Sequence, residues 1–269
     1  MIEPHPAAQR LWVSPRNDGE ALVIVDLLRE CGETILVTAQ PWGATWAGLE
    51  AELQDRVRQW RADNPAGVIY GIELAGPNEF GAINIDHHLY SDDNRSNVLS
   101  SLEQVAAITG RMLTRNQQLV ALNDRGYIPA MEAAQATPEE IEEIREADRR
   151  AQGLTPSDRE HAERDLAAAE RDSERWLIRC PNGANAYHTD LSYGRAKEIL
   201  AIAPRRWSYT GARKRELIAF GLSEQHWSGG DPESGYFAVE NPAEETQRKI
   251  LNWFWERSEN PRAMRTEVA

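Results

Sequence analysis

The sequence has 269 residues, and its 43 acidic residues outweigh 30 basic ones to give a net charge of −13. This charge argues against a non-specific binder of duplex DNA, which needs a basic surface, but it leaves small anionic substrates open. Cys31 and Cys180 predict no disulfide framework, and no run approaches the roughly 20 apolar residues of a membrane span. The first residues lack a basic start followed by an apolar core, so we expect a cytoplasmic protein with no membrane partner.

Short apolar runs alternate with helical patterns through the first half of the chain. The predicted strands lie at 11–13, 34–38, 68–74 and 82–85, and the predicted helices lie at 19–29, 45–61 and 100–109. Ser100 and Glu103 form a capping box, which fixes the start of the last of these helices. The alternation predicts an α/β fold whose first sheet is mostly parallel and covered by helices on both faces.

The second half of the chain has a different composition. Thr137-Pro138 and Thr155-Pro156 each pair an N-cap residue with proline at the first helical position, which predicts two exposed, charged helices. The strands predicted after them lie at 176–180, 199–203, 216–220 and 236–240, and a closing helix is predicted at 243–257. We therefore expect a first domain at 1–135, a helical linker at 136–174 and a smaller α/β domain at 175–269.

Acidic residues and histidines follow four apolar segments. The candidates are Asp18 and Glu20 after the first strand, Glu73 near the end of the third, Asp86-His87-His88 after 82–85, and Asp124 after the apolar run 119–122. If these segments are parallel strands, the side chains gather at the carboxyl edge of one sheet. Carboxylate and imidazole bind divalent transition metals, and two such ions could clamp a phosphoryl group and activate water.

Each candidate also has an ordinary interpretation. Asp86-His87-His88 can be a polar loop, and Asp18 and Asp124 sit in turn-forming pairs with asparagine. Glu20 can complement the dipole of a helix start, and Glu73 can face solvent from a strand.

The triplet Asp86-His87-His88, the serine-led helix start at 100–106, Asp124 and the glycine-rich stretch 228–235 together resemble the DHH phosphoesterase family. The resemblance implies that Asp86 and His87 bind metal and that His88 supports catalysis or the leaving group. It implies a metal set of Asp18, Glu20, Glu73, Asp86, His87 and Asp124. The implied cofactor is manganese, with magnesium or cobalt as alternatives, as one or two ions.

The second domain supplies the predicted substrate contacts. By resemblance, Gly229, Gly230 and Asp231 form a substrate loop. Arg206 and Arg213 belong to a basic cluster interleaved with Trp207 and Tyr209. Arginine can bind phosphate in a fork and aromatic rings can stack on a base. A solvated basic loop explains the cluster as well, and a tight turn explains the glycines.

The sequence departs from the family pattern in four places. Ser14 stands where the family has a metal-binding histidine, Glu20 and Glu73 stand where it has aspartates, and Asp231 stands where its substrate loop has histidine. These departures leave one ion or two open.

The function that we expect is hydrolysis of a phosphodiester or phosphoanhydride bond in a small nucleotide or short single-stranded oligonucleotide. A catalytically degenerate relative that senses a nucleotide is the alternative. A metal-dependent hydrolase acting on another substrate also remains open, because a scaffold does not fix its reaction. A homodimer is compatible with each interpretation.

Overall fold

The computed structural model describes residues 9–87, 98–229 and 235–256. The chain divides into two compact units, and the boundary between Arg159 and Glu160 falls inside the helix Pro156–Ala167, which we group with the second unit. The elements of the first unit are β1 (Arg10–Ser14), α1 (Gly19–Glu30), β2 (Thr34–Val37), α2 (Ala51–Asp63), β3 (Val68–Ile72), β4 (Ile83–Ile85), α3 (Ser101–Thr109), α4 (Arg115–Ala133) and α5 (Pro138–Ala151). Within the described residues, no helix is both long and apolar enough to cross a membrane.

The first unit is built on a parallel four-stranded sheet with the order β2-β1-β3-β4. Successive side chains of a strand point to opposite faces. Leu11 and Val13 pack in one core with Val57 of α2. Trp12 is buried too, and its indole donates to Glu33 at 3.0 Å, on the path between α1 and β2. The predicted α/β class is confirmed.

The predicted capping box at Ser100 is confirmed: its hydroxyl accepts from the Glu103 N–H, and the Glu103 carboxylate accepts from the Ser100 N–H. By contrast, α2 begins at Ala51, later than the predicted start at 45. The Trp46 N–H donates to the Ala75 carbonyl at 3.2 Å, which holds this segment beside the end of β3. The apolar residues around Trp46 are therefore buried by a loop and not by a longer helix.

The prediction that 119–122 is a strand is wrong. These residues lie within α4, which starts with a capping box formed by Thr114 and Gln117. Leu119, Val120 and Ala121 are buried side by side in this helix. A short continuous apolar run fits a buried strand or a buried helix equally well, so its pattern alone could not decide between them.

The second unit contains a six-stranded mixed sheet with the order β5-β6-β7-β8-β10-β9. Its elements are α6 (Pro156–Ala167), β5 (Glu170–Arg171), β6 (Arg175–Arg179), α7 (Ala186–Ser192), β7 (Glu198–Ile202), β8 (Arg206–Thr210), α8 (Lys214–Ile218), β9 (His226–Gly229), β10 (Tyr236–Glu240) and α9 (Glu244–Trp255). The strand predicted at 216–220 is wrong, because 214–218 is helical and buries Leu217 in the core.

Candidate metal centre

The centre lies at the carboxyl edge of the parallel sheet. Because β2 and β3 flank β1 on opposite sides, the chain leaves the carboxyl end of β1 at a switch point, where α/β sheets form ligand-binding crevices. Asp18 and Glu20 follow β1, Glu73 follows β3, and His87 follows β4. The sheet topology thus brings together three segments that are distant in sequence.

Four side chains converge there. Glu20, Glu73, His87 and Asp124 each offer a ligand atom, and these atoms all lie within 4.8 Å of one another. The Nε2 atom of His87 is 2.7 Å from Oδ2 of Asp124 and 3.4 Å from Oε1 of Glu73. Asp124 arrives from the middle of α4 and not from a strand end. The convergence predicted for these four residues is therefore present, although one arrives by a different route.

The start of α3 holds two of these carboxylates. Glu20 is buried, and its Oε1 accepts the Leu102 N–H at 3.0 Å. Oε1 of Glu73 accepts the Ser101 hydroxyl at 2.8 Å. The amino end of a helix attracts negative charge and has N–H groups without helical partners. The capping box fixes where α3 begins, and the first residues of α3 thus orient both Glu20 and Glu73.

Two residues of the site region have backbone conformations that side chains other than glycine seldom adopt. Glu73 has a φ of 48°, and its N–H donates to the Ile85 carbonyl at 2.9 Å. Tyr127, three residues after Asp124, has φ 57° and ψ −154° and interrupts α4. Such conformations cost about 1–3 kcal/mol each and cluster at functional sites. Here one of them is a converging residue itself, Glu73, and the other lies one helical turn after Asp124.

Burial and neighbouring acids raise the pKa of Glu20 and of Asp18. Burial, followed by the charges of Asp124 and Glu73, holds the pKa of Glu20 well above its ordinary value. Burial, followed by the charges of Glu73 and Asp124, does the same to the pKa of Asp18. Burial alone would lower the pKa of His87, but hydrogen bonds with Asp124 and Glu73 outweigh it and raise this pKa to about 9. This concentration of negative charge favours a cation.

The donor set fits a divalent metal ion. Three carboxylates and one imidazole supply oxygen and nitrogen, which suit manganese, iron, zinc or magnesium better than softer ions that prefer sulfur. In addition, the side-chain oxygen of Asn17, next to Asp18, is buried without a hydrogen-bond donor. A buried acceptor in this state is uncommon and points to a ligand or water at this edge.

The other predicted metal ligands lie outside the four-residue cluster. Asp18 caps α1 by accepting the Ala21 N–H at 2.8 Å. The carbonyl of Asp86 accepts from the side-chain amide of Gln104 at 3.2 Å. Ser14, at the position of the family's histidine, is fully buried, and its hydroxyl donates to the Pro15 carbonyl. His88, Gly230 and Asp231 lie outside the described residues, and Gly229 ends β9.

The two arginines predicted to bind substrate have partners within the second unit. Arg213 forms a fork with Glu198 at 2.7–3.0 Å and lies 4.3 Å from the ring centre of Trp253. Arg206 donates to Glu240 at 2.9 Å and lies over the Trp227 ring. These contacts account for both side chains as parts of the fold, and their substrate contact stays a prediction.

Sequence reasoning missed a pair on α5. Asp148 accepts the Gly19 N–H at 3.1 Å, directly beside Asp18, and it forms an ion pair with Arg145 at 2.8 Å. Arg145 also donates to the side chain of Asn123, the neighbour of Asp124, at 3.0 Å. Both side chains are buried. Asp148 follows Ile144 by four residues and Arg145 by three, a spacing that indicates a shared helix face but not which elements that face contacts.

No protein-family model matches the sequence, and comparison with curated proteins finds no match. Among solved structures, the chain is similar to PggH, a pGpG-specific phosphodiesterase from Vibrio cholerae, with 12% identity, a TM-score of 0.41 and coverage of 91% of this chain and 97% of that one. It is similar to manganese-bound RecJ from Thermus thermophilus, with 10% identity, a TM-score of 0.49 and coverage of 90% of this chain but 51% of that one.

A manganese-bound exonuclease RecJ is a further similar structure, with 10% identity, a TM-score of 0.46 and coverage of 97% of this chain and 92% of that one. These proteins are DHH-family phosphoesterases, the family that the sequence motifs resemble. At such identities and TM-scores the likeness does not carry an activity across, so the functional argument rests on the residues of the metal centre.

Proposed function

We propose that this chain is a metal-dependent phosphoesterase that hydrolyses a phosphodiester or phosphoanhydride bond in a small nucleotide or short single-stranded oligonucleotide. The observation that carries the proposal is the convergence of Glu20, Glu73, His87 and Asp124 at the switch point of the parallel sheet. A divalent ion bound by this set would polarise a phosphoryl oxygen and lower the pKa of water. Manganese is the ion that we propose, with magnesium as the alternative.

Each residue of the centre has a separate role in this proposal. Glu20, Glu73, His87 and Asp124 hold the ion, while Ser101 and the Leu102 N–H fix the orientation of two carboxylates. Asp18 and Asp86 follow strands of the same edge and are proposed as further ligands or as groups that orient water. His88 is proposed, from the resemblance alone, to protonate the leaving oxygen.

A nucleotide sensor without turnover is the second candidate. Its support is Ser14, which offers a buried hydroxyl already bonded to Pro15 where the family has an imidazole. The loss of this ligand favours one ion over two, and a single ion stabilises fewer oxygens of the transferring phosphoryl group.

The proposed function is tested by hydrolysis assays on linear and cyclic dinucleotides, short DNA and RNA oligonucleotides and a nitrophenyl phosphodiester. Each assay is run with manganese, with magnesium and with chelator. We expect turnover that the chelator abolishes. Glu73→Gln should reduce it by at least about 100-fold, the upper end for groups that merely support metal ligands.

Glu79→Gln is the matched control, because Glu79 is 64% exposed and pairs with Arg58 outside the centre. It should retain normal turnover. Nucleotide binding without turnover in any metal would support the sensor. Chelator-resistant turnover, or an active Glu73→Gln variant, would contradict the proposed phosphoesterase centre.

A further inference from the structure

A second group of metal-ligating side chains lies within the second unit. Asp165 comes from α6, Cys180 follows β6, and His188 comes from α7, and a ligand atom of each lies within 4.8 Å of the other two. The fold brings these residues together from three separate elements. None of them belongs to the centre at the edge of the parallel sheet.

The group is buried and chemically mixed. Cys180 and His188 are 0% and 2% exposed, and Cys180 belongs to a core cluster with Leu166 and Ile178. Sulfur, imidazole nitrogen and carboxylate oxygen are the three donor types that zinc accepts in proteins. A thiolate is a soft ligand, which favours zinc over the harder manganese and magnesium ions.

The His188 ring has hydrogen-bond partners in both the metal-free and the metal-bound form of this group. Nε2 of His188 is 3.1 Å from Oδ2 of Asp165. Nδ1 is 3.2 Å from the backbone nitrogen of Asn185 and 3.3 Å from its side-chain oxygen. With the proton on Nε2, the ring donates to Asp165 and accepts the Asn185 N–H. With the proton on Nδ1, the ring donates to the Asn185 side-chain oxygen and presents the Nε2 lone pair to a metal, and the Asn185 N–H gives up its bond to Nδ1.

A partner for the imidazole on its far side is the usual companion of a metal-binding histidine, because it fixes the tautomer and the ring orientation. Asn185 also caps α7, so the residue that orients the ring is itself held by the helix start. Burial and the nearby charge of Asp165 raise the pKa of the Cys180 thiol to about 12, and without metal the thiol donates to the Ile178 carbonyl at 3.7 Å.

We propose that Asp165, Cys180 and His188 form a zinc-type metal site that ties α6, the end of β6 and α7 together. The three protein ligands leave one position of a tetrahedron for water or another donor. The site serves the fold in this proposal, because its three ligands come from three separate elements. The inference is independent of the phosphoesterase activity.

The test is cobalt and zinc binding in a His87→Asn background, which removes a ligand of the first centre. Cobalt coordinated by a thiolate produces a charge-transfer absorption in the near ultraviolet. We expect this band on titration with cobalt, its loss when zinc is added, and about one equivalent of tightly held zinc by elemental analysis. Adding Cys180→Ala should abolish the band, whereas Cys31→Ala should leave it unchanged.

Asp165→Asn keeps the size and shape of the side chain and should weaken cobalt binding by at least about tenfold. It therefore serves as a second variant if Cys180→Ala fails to fold. Absence of a thiolate band in the folded His87→Asn protein would overturn the proposal, whatever the variants do. A band that survives Cys180→Ala in folded protein would overturn it as well.

Discussion

His87 illustrates how single residues set the state of the metal centre. Its imidazole faces Asp124 and Glu73, and their hydrogen bonds raise its pKa to about 9. Without metal, the charged ring therefore partly compensates the carboxylates at neutral pH. A metal ion must compete with this proton, because the ligand form of histidine is the neutral ring. A cation bound by these residues would therefore displace the proton of His87.

Asp124 is the residue whose role is tested most directly. Asp124→Asn removes one charge and one ligand oxygen at nearly constant volume, and we expect it to weaken manganese binding by at least about tenfold. Calorimetric titration with manganese measures this change. Asp26→Asn is the control, because the Asp26 side chain is 73% exposed on α1. Equal affinity in both variants would contradict the assignment of Asp124.

Replacing Glu20 should increase the stability of the metal-free protein. Its folded-state pKa lies well above the ordinary value because of burial and of Asp124 and Glu73, so ionised Glu20 opposes folding in the absence of metal. This cost is present above the raised pKa and disappears as the pH falls below the ordinary value. We expect Glu20→Gln to stabilise the metal-free protein by roughly 0.5–2 kcal/mol while reducing stabilisation by manganese.

Chemical denaturation in chelator and in manganese measures both effects of Glu20→Gln. The glutamine oxygen can still accept the Leu102 N–H, so the support from α3 is retained. A variant less stable than the parent in chelator would show that the carboxylate serves the fold and not a ligand.

At the scale of elements, α5 connects the segments that carry the ligands. It packs against α1 and α4 within the first unit, and its Arg145–Asp148 pair bonds to Gly19 and to Asn123. A side chain at position 19 would lie 3.2 Å from the backbone of Asp148, so glycine permits this close approach. The charged stretch after residue 137 thus contributes buried contacts to the site region as well as exposed surface.

Asp148→Ala is expected to destabilise the chain by about 3 kcal/mol, because it removes a carboxylate partner of the buried Arg145 guanidinium and the acceptor of the Gly19 N–H. Glu143→Ala on the exposed face of the same helix should change stability by less than about 0.5 kcal/mol. Denaturant unfolding monitored by circular dichroism gives both values. If the two variants unfold alike, α5 does not connect the site as described.

Parts of the fold were predictable because local chemistry specifies them. β1, β2 and β3 follow from short apolar runs bounded by turns, and the start of α3 follows from its capping box. The wrong strands at 119–122 and 216–220 share one cause: a short apolar run fits a buried helix or a buried strand, and tertiary packing decides. β8 was missed because the adjacent Arg205 and Arg206 at its start are typical of an exposed loop, although Trp207 and Tyr209 are buried.

The metal centre was predictable as a set of residue types and only partly as a geometry. Glu20, Glu73, His87 and Asp124 were all named from sequence, and they converge. The supports from Ser101, Leu102 and Asp148 could not be inferred, because each depends on contacts between elements far apart in sequence. Residue types indicate which ions a site could bind. The orientation of the carboxylates depends on where the start of α3 lies, which the sequence does not reveal.

At the scale of the whole molecule, the two units carry separate groups of candidate metal ligands and separate cores. The first unit places Leu11, Val13 and Val57 together, and the second places Tyr209, Phe237 and Phe254 together. The ligand chemistry differs in parallel, with oxygen and nitrogen in the first unit and sulfur included in the second. We therefore expect manganese to bind and stabilise the first unit and zinc to bind and stabilise the second.

This separation predicts that manganese protects the first unit alone. A ligand that binds only the folded state stabilises it by about 2.7 kcal/mol at 100 times its dissociation constant. Hydrogen exchange measured peptide by peptide should therefore slow in β1, β3 and α4 on addition of manganese. It should remain unchanged in β7, β8 and β10, whose residues contribute nothing to the first centre. His87→Asn should remove the protection. Slowing confined to the second unit would place the manganese site elsewhere than at the edge of the parallel sheet.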